Sequence, residues 1–166
     1  MKAWHFTADK LRDGRPLPRN GRWLKHDGPV AICKSGLHAS REPFDALQYA
    51  PGATLCLVEV EDVVAEQDDK LVARKRKIIA RIDATELLRY FARMQALSCV
   101  DAWTDNPPDV VLDYLMTGDP ELRSVAWSAA RSVAWSAAWS AAWSAAESAA
   151  RAEFNALVYE TFAEYL

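Results

Sequence analysis

The hydrophobic pattern changes period once along the chain, near residue 83. Ahead of that point apolar and polar positions alternate in short runs, as strands do. Behind it they recur at helical spacing. Met1–Thr7 (MKAWHFT) puts Trp4 and Phe6 on one side of a strand and His5 on the other. Ala8–Pro29 is rich in Gly, Pro, Asn, Asp and Arg and reads as a long surface connection with a short strand at Arg22–Lys25. Val30–Cys33 is a short apolar run, Lys34-Ser35-Gly36 a turn and Leu37–Ser40 an extended segment. Ser40 is placed to cap a helix reaching about Ala50, with Glu42-Pro43 in its first turn and Pro51-Gly52 at its end. Thr54–Val60 (TLCLVEV) is the clearest strand: Leu55, Leu57 and Glu59 share one face, Cys56, Val58 and Val60 the other. Glu61–Asp69 reads as an acidic loop or bulge and Lys70–Asp83 as a further strand.

A helix opens at Asp83 or Thr85 and runs through Leu87, Leu88, Phe91, Met94 and Leu97, until Asn106-Pro107-Pro108 breaks it. A shorter one covers Asp109–Met116 and stops at Thr117-Gly118. Asp119-Pro120-Glu121 then starts the last, an unbroken helix over about 120–166. Its body, Arg123–Ala150, repeats in fours, with Trp127, Trp135, Trp139 and Trp143 in the first slot and Ser always second. A step of four overshoots a 3.6-residue turn by about 40°, so the indole stripe rotates along the helix and meets different surfaces in turn. That predicts packing and homo-oligomer assembly through this helix, with ligand contact by one or more of the tryptophans, or a protein-interaction module acting through the helix, as the alternatives. The fold class is α+β: a small, mostly antiparallel sheet with one embedded helix, followed by helices that include the long Ala/Trp-rich one. Residues 1–83 form the β-rich part and 84–166 the helical part, sharing one core.

Charge is divided along the same line. The chain carries −3 overall, but residues 1–83 balance at +3 and residues 84–166 at −6. The front half can attract an anionic small molecule, and the back half repels nucleic acid, so a nucleic-acid partner is not expected. No apolar run opens the chain, and Ser, Arg131 and Glu147 interrupt the Ala/Trp tract, so neither a signal peptide nor a membrane span is expected. Cys33, Cys56 and Cys99 are far apart, with no CxxC, which fits reduced thiols and a cytoplasmic location. No metal-ligand spacing, P-loop or GxGxxG occurs, so no metal and no cofactor is expected.

The candidate chemistry gathers in Cys33–Tyr49, where a strand, a Gly36 turn, His38 and Ser40 lead into a helix N-terminus with Arg41 beside it. Backbone N–H groups at such a terminus suit phosphate or carboxylate. His5 and Thr7 on the first strand join this pocket if that strand lies beside Leu37–Ser40. Arg74 and Arg76, from the basic run of the second long strand, complete the predicted ligand set: His5, Thr7, Gly36, His38, Ser40, Arg41, Arg74 and Arg76. Glu59 and Glu61, two apart on a strand, are the carboxylates available for acid/base chemistry; an enzyme would use them with His5 and His38.

CKSGLHASREPFDALQYAPG, with LCLVEVE and DDKLVARKRKII after it, resembles a family of uncharacterised phage and bacterial proteins. The shared pattern is C-x-x-G-[LF]-H-A-[SC], a D-[AV]-L-x-Y helix and a V-E strand. WHF, HDGP and the Ala/Trp tetrads before a short apolar helix are similar too. The resemblance implies a small oligomeric phage-type protein, at work in the host cytoplasm, that sequesters a nucleotide immune signal. A weaker similarity is to ADP-ribosyltransferase-like folds, which place an early His or Arg, a Ser and a strand-borne Glu around NAD. His5, Ser40 and Glu59 or Glu61 stand in that order here.

Overall fold

The computed structural model describes residues 1–11, 14–98, 100, 106–130 and 139–166. A long β-hairpin is its spine. Strands β4 (Thr54–Glu66) and β5 (Leu71–Asp83) pair antiparallel along their whole length, and the hairpin turn is closed by the Gln67 N–H donating to the Lys70 carbonyl. β4 therefore runs six residues past the strand expected from sequence: the acidic stretch from Glu61 to Glu66 is strand, not loop. Cross-strand charge pairing holds it there. Lys77 meets Glu59 at 2.6 Å, and Lys75 meets Asp62 at 3.1 Å and Glu61 at 3.5 Å. The register slips at Leu57/Val58 and again at Val63/Ala65, and Asp62 takes a left-handed backbone (φ 56°), so the hairpin bends.

β1 (Lys2–Thr7) adds antiparallel to the first half of β4. β2 (Trp23–Lys25) and β3 (Leu37–Ala39) add to the opposite edge of β5. One further bridge joins the two edges: Trp4 and Ser40 exchange backbone hydrogen bonds of 2.7 and 2.9 Å. β1, β4, β5 and β3 thus close into a small ring. Ala3, Ala39, Cys56, Val58, Val60, Leu71, Ala73 and Ile78 form one buried cluster within it.

Trp4 and Phe6 pair with Leu57 and Leu55 and occupy the other face of β1 and β4. That face is covered by the short helix α1 (Pro43–Leu47) and by the chain's last residues. Phe154, Val158 and Phe162 are fully buried; Trp4 meets Phe162 edge-on at 5.1 Å, and Phe44 meets Phe154 at 6.0 Å. Met1–Thr85 and Glu153–Leu166 make one compact unit. The expected boundary near residue 83 falls close to its edge, but the closing residues belong with the sheet.

Glu86–Ala152 is the second unit. It holds most of α2 (Thr85–Ser98), with α3 (Asp109–Thr117), α4 (Arg123–Ala130) and the start of α5 (Trp139–Thr161). Val111, Leu115 and Ala126 make its core, with Leu97, Val110 and Tyr114 against them. Gly118 ends α3 in the left-handed conformation (φ 71°), and its N–H donates to the Tyr114 carbonyl. A Cβ there would strike the Arg93 guanidinium at 2.4 Å.

The last helix differs from expectation at both ends. The Asp119 carboxylate accepts the Glu121 N–H, but residues 120–122 form a turn, and helix begins at Arg123. α5 stops at Thr161, before a single 3-10 turn over Ala163–Tyr165. Continuity across 131–138 lies outside the described residues, as do Trp135 and the side chains of Trp127, Trp139 and Trp143. The architecture is α+β, a five-stranded antiparallel sheet with helices.

Candidate functional site

Alternation on β5 places Arg76 opposite Val60 of β4, on the face that carries Ile78 and Val58. A guanidinium is therefore set among apolar side chains; Arg76 is only 7% exposed. Its Nη1 donates to the His38 carbonyl. Burial lowers its pKa to about 10, with the Cys56 thiol the only group acting the other way. It stays a cation at neutral pH. Its neighbours in sequence are neutralised: Lys75 by Asp62 and Glu61, Lys77 by Glu59. Among the described residues, no carboxylate pairs with Arg76.

His5 is the second member. β1 sets it opposite Cys56 on the ring's inner face. The ring keeps a little accessible surface, yet it is crowded enough that burial is the largest cause of its lowered pKa. The Arg76 charge pushes the same way, as would a proton on His38, so His5 is neutral at pH 7. The Trp4–Ser40 bridge between β1 and the end of β3, with the Arg76 bond to the His38 carbonyl, brings His5, His38 and Arg76 into one neighbourhood.

His38 is half-buried, and its Nε2 accepts the backbone N–H of Cys33 at 3.0 Å. That nitrogen is therefore unprotonated, and the other carries the ring proton. Cys33 meets it from a left-handed backbone (φ 64°). Gly36 supplies the preceding bend at φ 111°; a Cβ there would meet Val72 at 2.5 Å. Cys56, under His5, is fully buried, and burial pushes its thiol up to about 11.

The other predicted ligand residues stand apart from this group. Ser40 is buried and joined through its backbone to Trp4, and it does not cap α1. The position before α1 is Glu42, whose carboxylate takes the Tyr159 hydroxyl and the Asn155 amide. The Asn155 carbonyl oxygen accepts the Phe44 N–H at 2.9 Å. Protein side chains thus occupy the helix terminus expected to receive an anion, and at five residues α1 is too short to offer a dipole. Arg41 forks onto Glu66, exposed. Arg74 is exposed and reaches the Gly28 carbonyl. Thr7 donates to the Ala8 carbonyl. Glu59 and Glu61 are held by lysines, and Lys77 keeps the Glu59 carboxyl below its ordinary range.

A separate surface hollow of about 430 Å³ is lined by Asp9, Gly52, Thr54, Asp83 and Thr85. Its two carboxylates make it unsuited to an anion. Among the described residues, no group of His, Cys, Asp and Glu could hold a metal ion, and no helix is long and apolar enough to cross a membrane.

Residues 1–90 match the family model described as a domain of unknown function, DUF7666. The chain belongs to that family. No curated protein and no solved structure matches it. The DUF7666 region contains all five strands and α1, and with them His5, His38, Cys56 and Arg76. An uncharacterised family is what the sequence resemblance implied at its coarser level.

Sequence reasoning pointed first to the stretch with His38 and then to His5, and carried Arg76 only as part of a basic run. It missed Cys56 as their neighbour and Glu66 as the partner of Arg41. The missing information was tertiary: alternation puts Arg74 on the same side of β5 as Arg76, and only the packing of the folded sheet buries Arg76 while leaving Arg74 exposed.

Proposed function

We propose that this chain is a small-molecule-binding protein holding an anionic, nucleotide-derived ligand at Arg76, His5 and His38. In the phage-type setting its sequence resembles, it sequesters a nucleotide immune signal, as a homo-oligomer assembled through the Trp tetrads. The observation that supports this is the buried Arg76 without a carboxylate. A buried charge left unpaired is expensive, and a ligand anion would pair it. The neutral His5 imidazole beside it can hydrogen-bond a ribose or base edge.

An ADP-ribosyltransferase-like enzyme would need Ser40 and Glu59 or Glu61 at the ligand. Ser40 is bonded into the sheet and the glutamates are bonded to lysines, so the geometry favours binding over turnover.

Native mass spectrometry with NAD, ADP-ribose derivatives and cyclic dinucleotides tests the reading. The expected result is an unaltered nucleotide bound at a fixed ratio to subunits, lost in Arg76→Gln. A nucleotide of altered mass would favour an enzyme, and Glu61→Gln would then keep binding while losing turnover. Retention of ligand by Arg76→Gln would remove Arg76 from the site. Replacing Trp135, Trp139 and Trp143 by Ala is expected to abolish the oligomer in the same spectra; an unchanged assembly would remove the tetrads from that role.

A further inference from the structure

We propose that the Arg76 site accepts a singly charged, two-oxygen anion, a phosphodiester or a carboxylate, and discriminates against a phosphomonoester dianion. This rests on the reading of Arg76 as an anion site and narrows what that site can take.

Charge accounting supplies the argument. Arg76 is the one buried cation among the described residues. The groups facing it are His38 from β3, His5 from β1 and Cys56 from β4; Arg81, exposed on β5, acts on Cys56 from outside. His5 is neutral, the His38 Nε2 is committed to the Cys33 N–H, and the Cys56 thiol is protonated. The pocket's charge is therefore a single positive one. A monoanion cancels it. A dianion leaves one negative charge in a poorly solvated place, where an uncompensated charge carries the full desolvation penalty.

Geometry adds the two oxygens. Nη1 is held by the His38 carbonyl, which leaves the Nε–Nη2 edge of the guanidinium as the fork. No fully enclosed side-chain nitrogen or oxygen among the described residues lacks a partner. Among the described residues that edge has no acceptor, so it reaches accessible space rather than being sealed in. A carboxylate or a phosphodiester presents two coplanar acceptors to it and carries one charge.

The remaining route for a dianion is proton uptake by His5, which would make the imidazolium a second cation. Dianion binding would then weaken as pH rises, whereas monoanion binding would not change between pH 7 and 8.5. The phosphomonoester's own second ionisation, near about 6, is complete in that range.

The test uses probes without a base or sugar, so that only the charge class differs: dimethyl phosphate, acetate and methyl phosphate. Each is titrated at pH 8 while the imidazole signals of His5 and His38 are followed by NMR. Dimethyl phosphate or acetate is expected to bind about tenfold or more tightly than methyl phosphate. Whichever of the two is stronger identifies phosphodiester or carboxylate as the source. Arg76→Gln is expected to lose the response to all three. Arg76→Lys keeps the charge and the preference with weaker binding, which covers the case in which Arg76→Gln does not fold. If methyl phosphate binds as well as the monoanions and Arg76→Gln loses it, the charge-class proposal falls while the anion site stands. If no probe moves either histidine, or Arg76→Gln responds like the native protein, the anion-site reading itself falls.

Discussion

At the scale of single residues, the ring's interior makes the protein's chemistry depend on burial. His5 has a pKa below its ordinary value of about 6.5, because burial and the Arg76 charge oppose protonation, as would a proton on His38. The unfolded chain therefore binds a proton that the folded one refuses. The sign follows: this stability is complete above about pH 6.5 and is lost as pH falls from there towards the folded pKa. The urea midpoint is expected to drop between pH 7 and 5, before most carboxylates titrate, and the drop should be smaller in His5→Gln. An equal slope in both proteins would mean that His5 is not the group. Cys56 gives the complementary case. With its thiol fully buried and raised to about 11, it should resist iodoacetamide under native conditions while the exposed Cys33 is alkylated. Peptide mass spectra distinguish the two sites, and labelling of Cys56 without denaturant would contradict its burial.

At the scale of elements, the hairpin explains both what the sequence made legible and what it hid. Met1–Thr7, Thr54–Val60 and Lys70–Asp83 were readable because one face of each is apolar in alternation. Glu61–Glu66 was not, because acidic residues are poor strand formers and its side chains are exposed. Its acidic side chains find their partners in Lys75 and Arg41, which only the fold brings alongside. The same blindness applied to the site. Arg74, Lys75, Arg76 and Lys77 form one basic run in sequence, and only burial in the folded sheet singles out Arg76. The ion pairs shape the hairpin but contribute little stability, since exposed pairs are screened. Glu61→Gln should leave the denaturation midpoint almost unchanged. Phe162→Ala removes a fully buried ring packed on Trp4 and should lower stability by about 3–5 kcal/mol. Urea denaturation of the two variants decides it; a larger loss in Glu61→Gln would mean that charge, not packing, holds the sheet.

At the scale of the whole molecule, the decisive feature is that the sheet's outer face is completed by residues far along the chain. The family match ends at residue 90, yet Trp4 packs on Phe162 and Tyr159, Phe44 packs on Phe154, and Phe154, Val158 and Phe162 are fully buried within the same unit. Polar contacts fix the same segment: Asn155 and Tyr159 on Glu42, and the Lys2 ammonium on the Tyr165 and Leu166 carbonyls at 2.8 and 2.6 Å. Burying three such side chains contributes on the order of 5–9 kcal/mol, at roughly 1.5–3 each. A domain's entire stability is about 5–15 kcal/mol, so this segment accounts for much of it. A fragment of residues 1–90 is therefore expected to show strand signal in the far-ultraviolet but no cooperative thermal transition, and to bind a hydrophobic dye. Joining residues 153–166 to it through a flexible linker should restore the transition, because the segment needs only to reach the sheet, not to arrive by way of the tetrad tract. If residues 1–90 alone melt cooperatively at the temperature of the full chain, the closing helix is an accessory and the matched region is a domain by itself. If the linked fragment stays molten, the second unit contributes stability that its own core of Val111, Leu115 and Ala126 does not reveal.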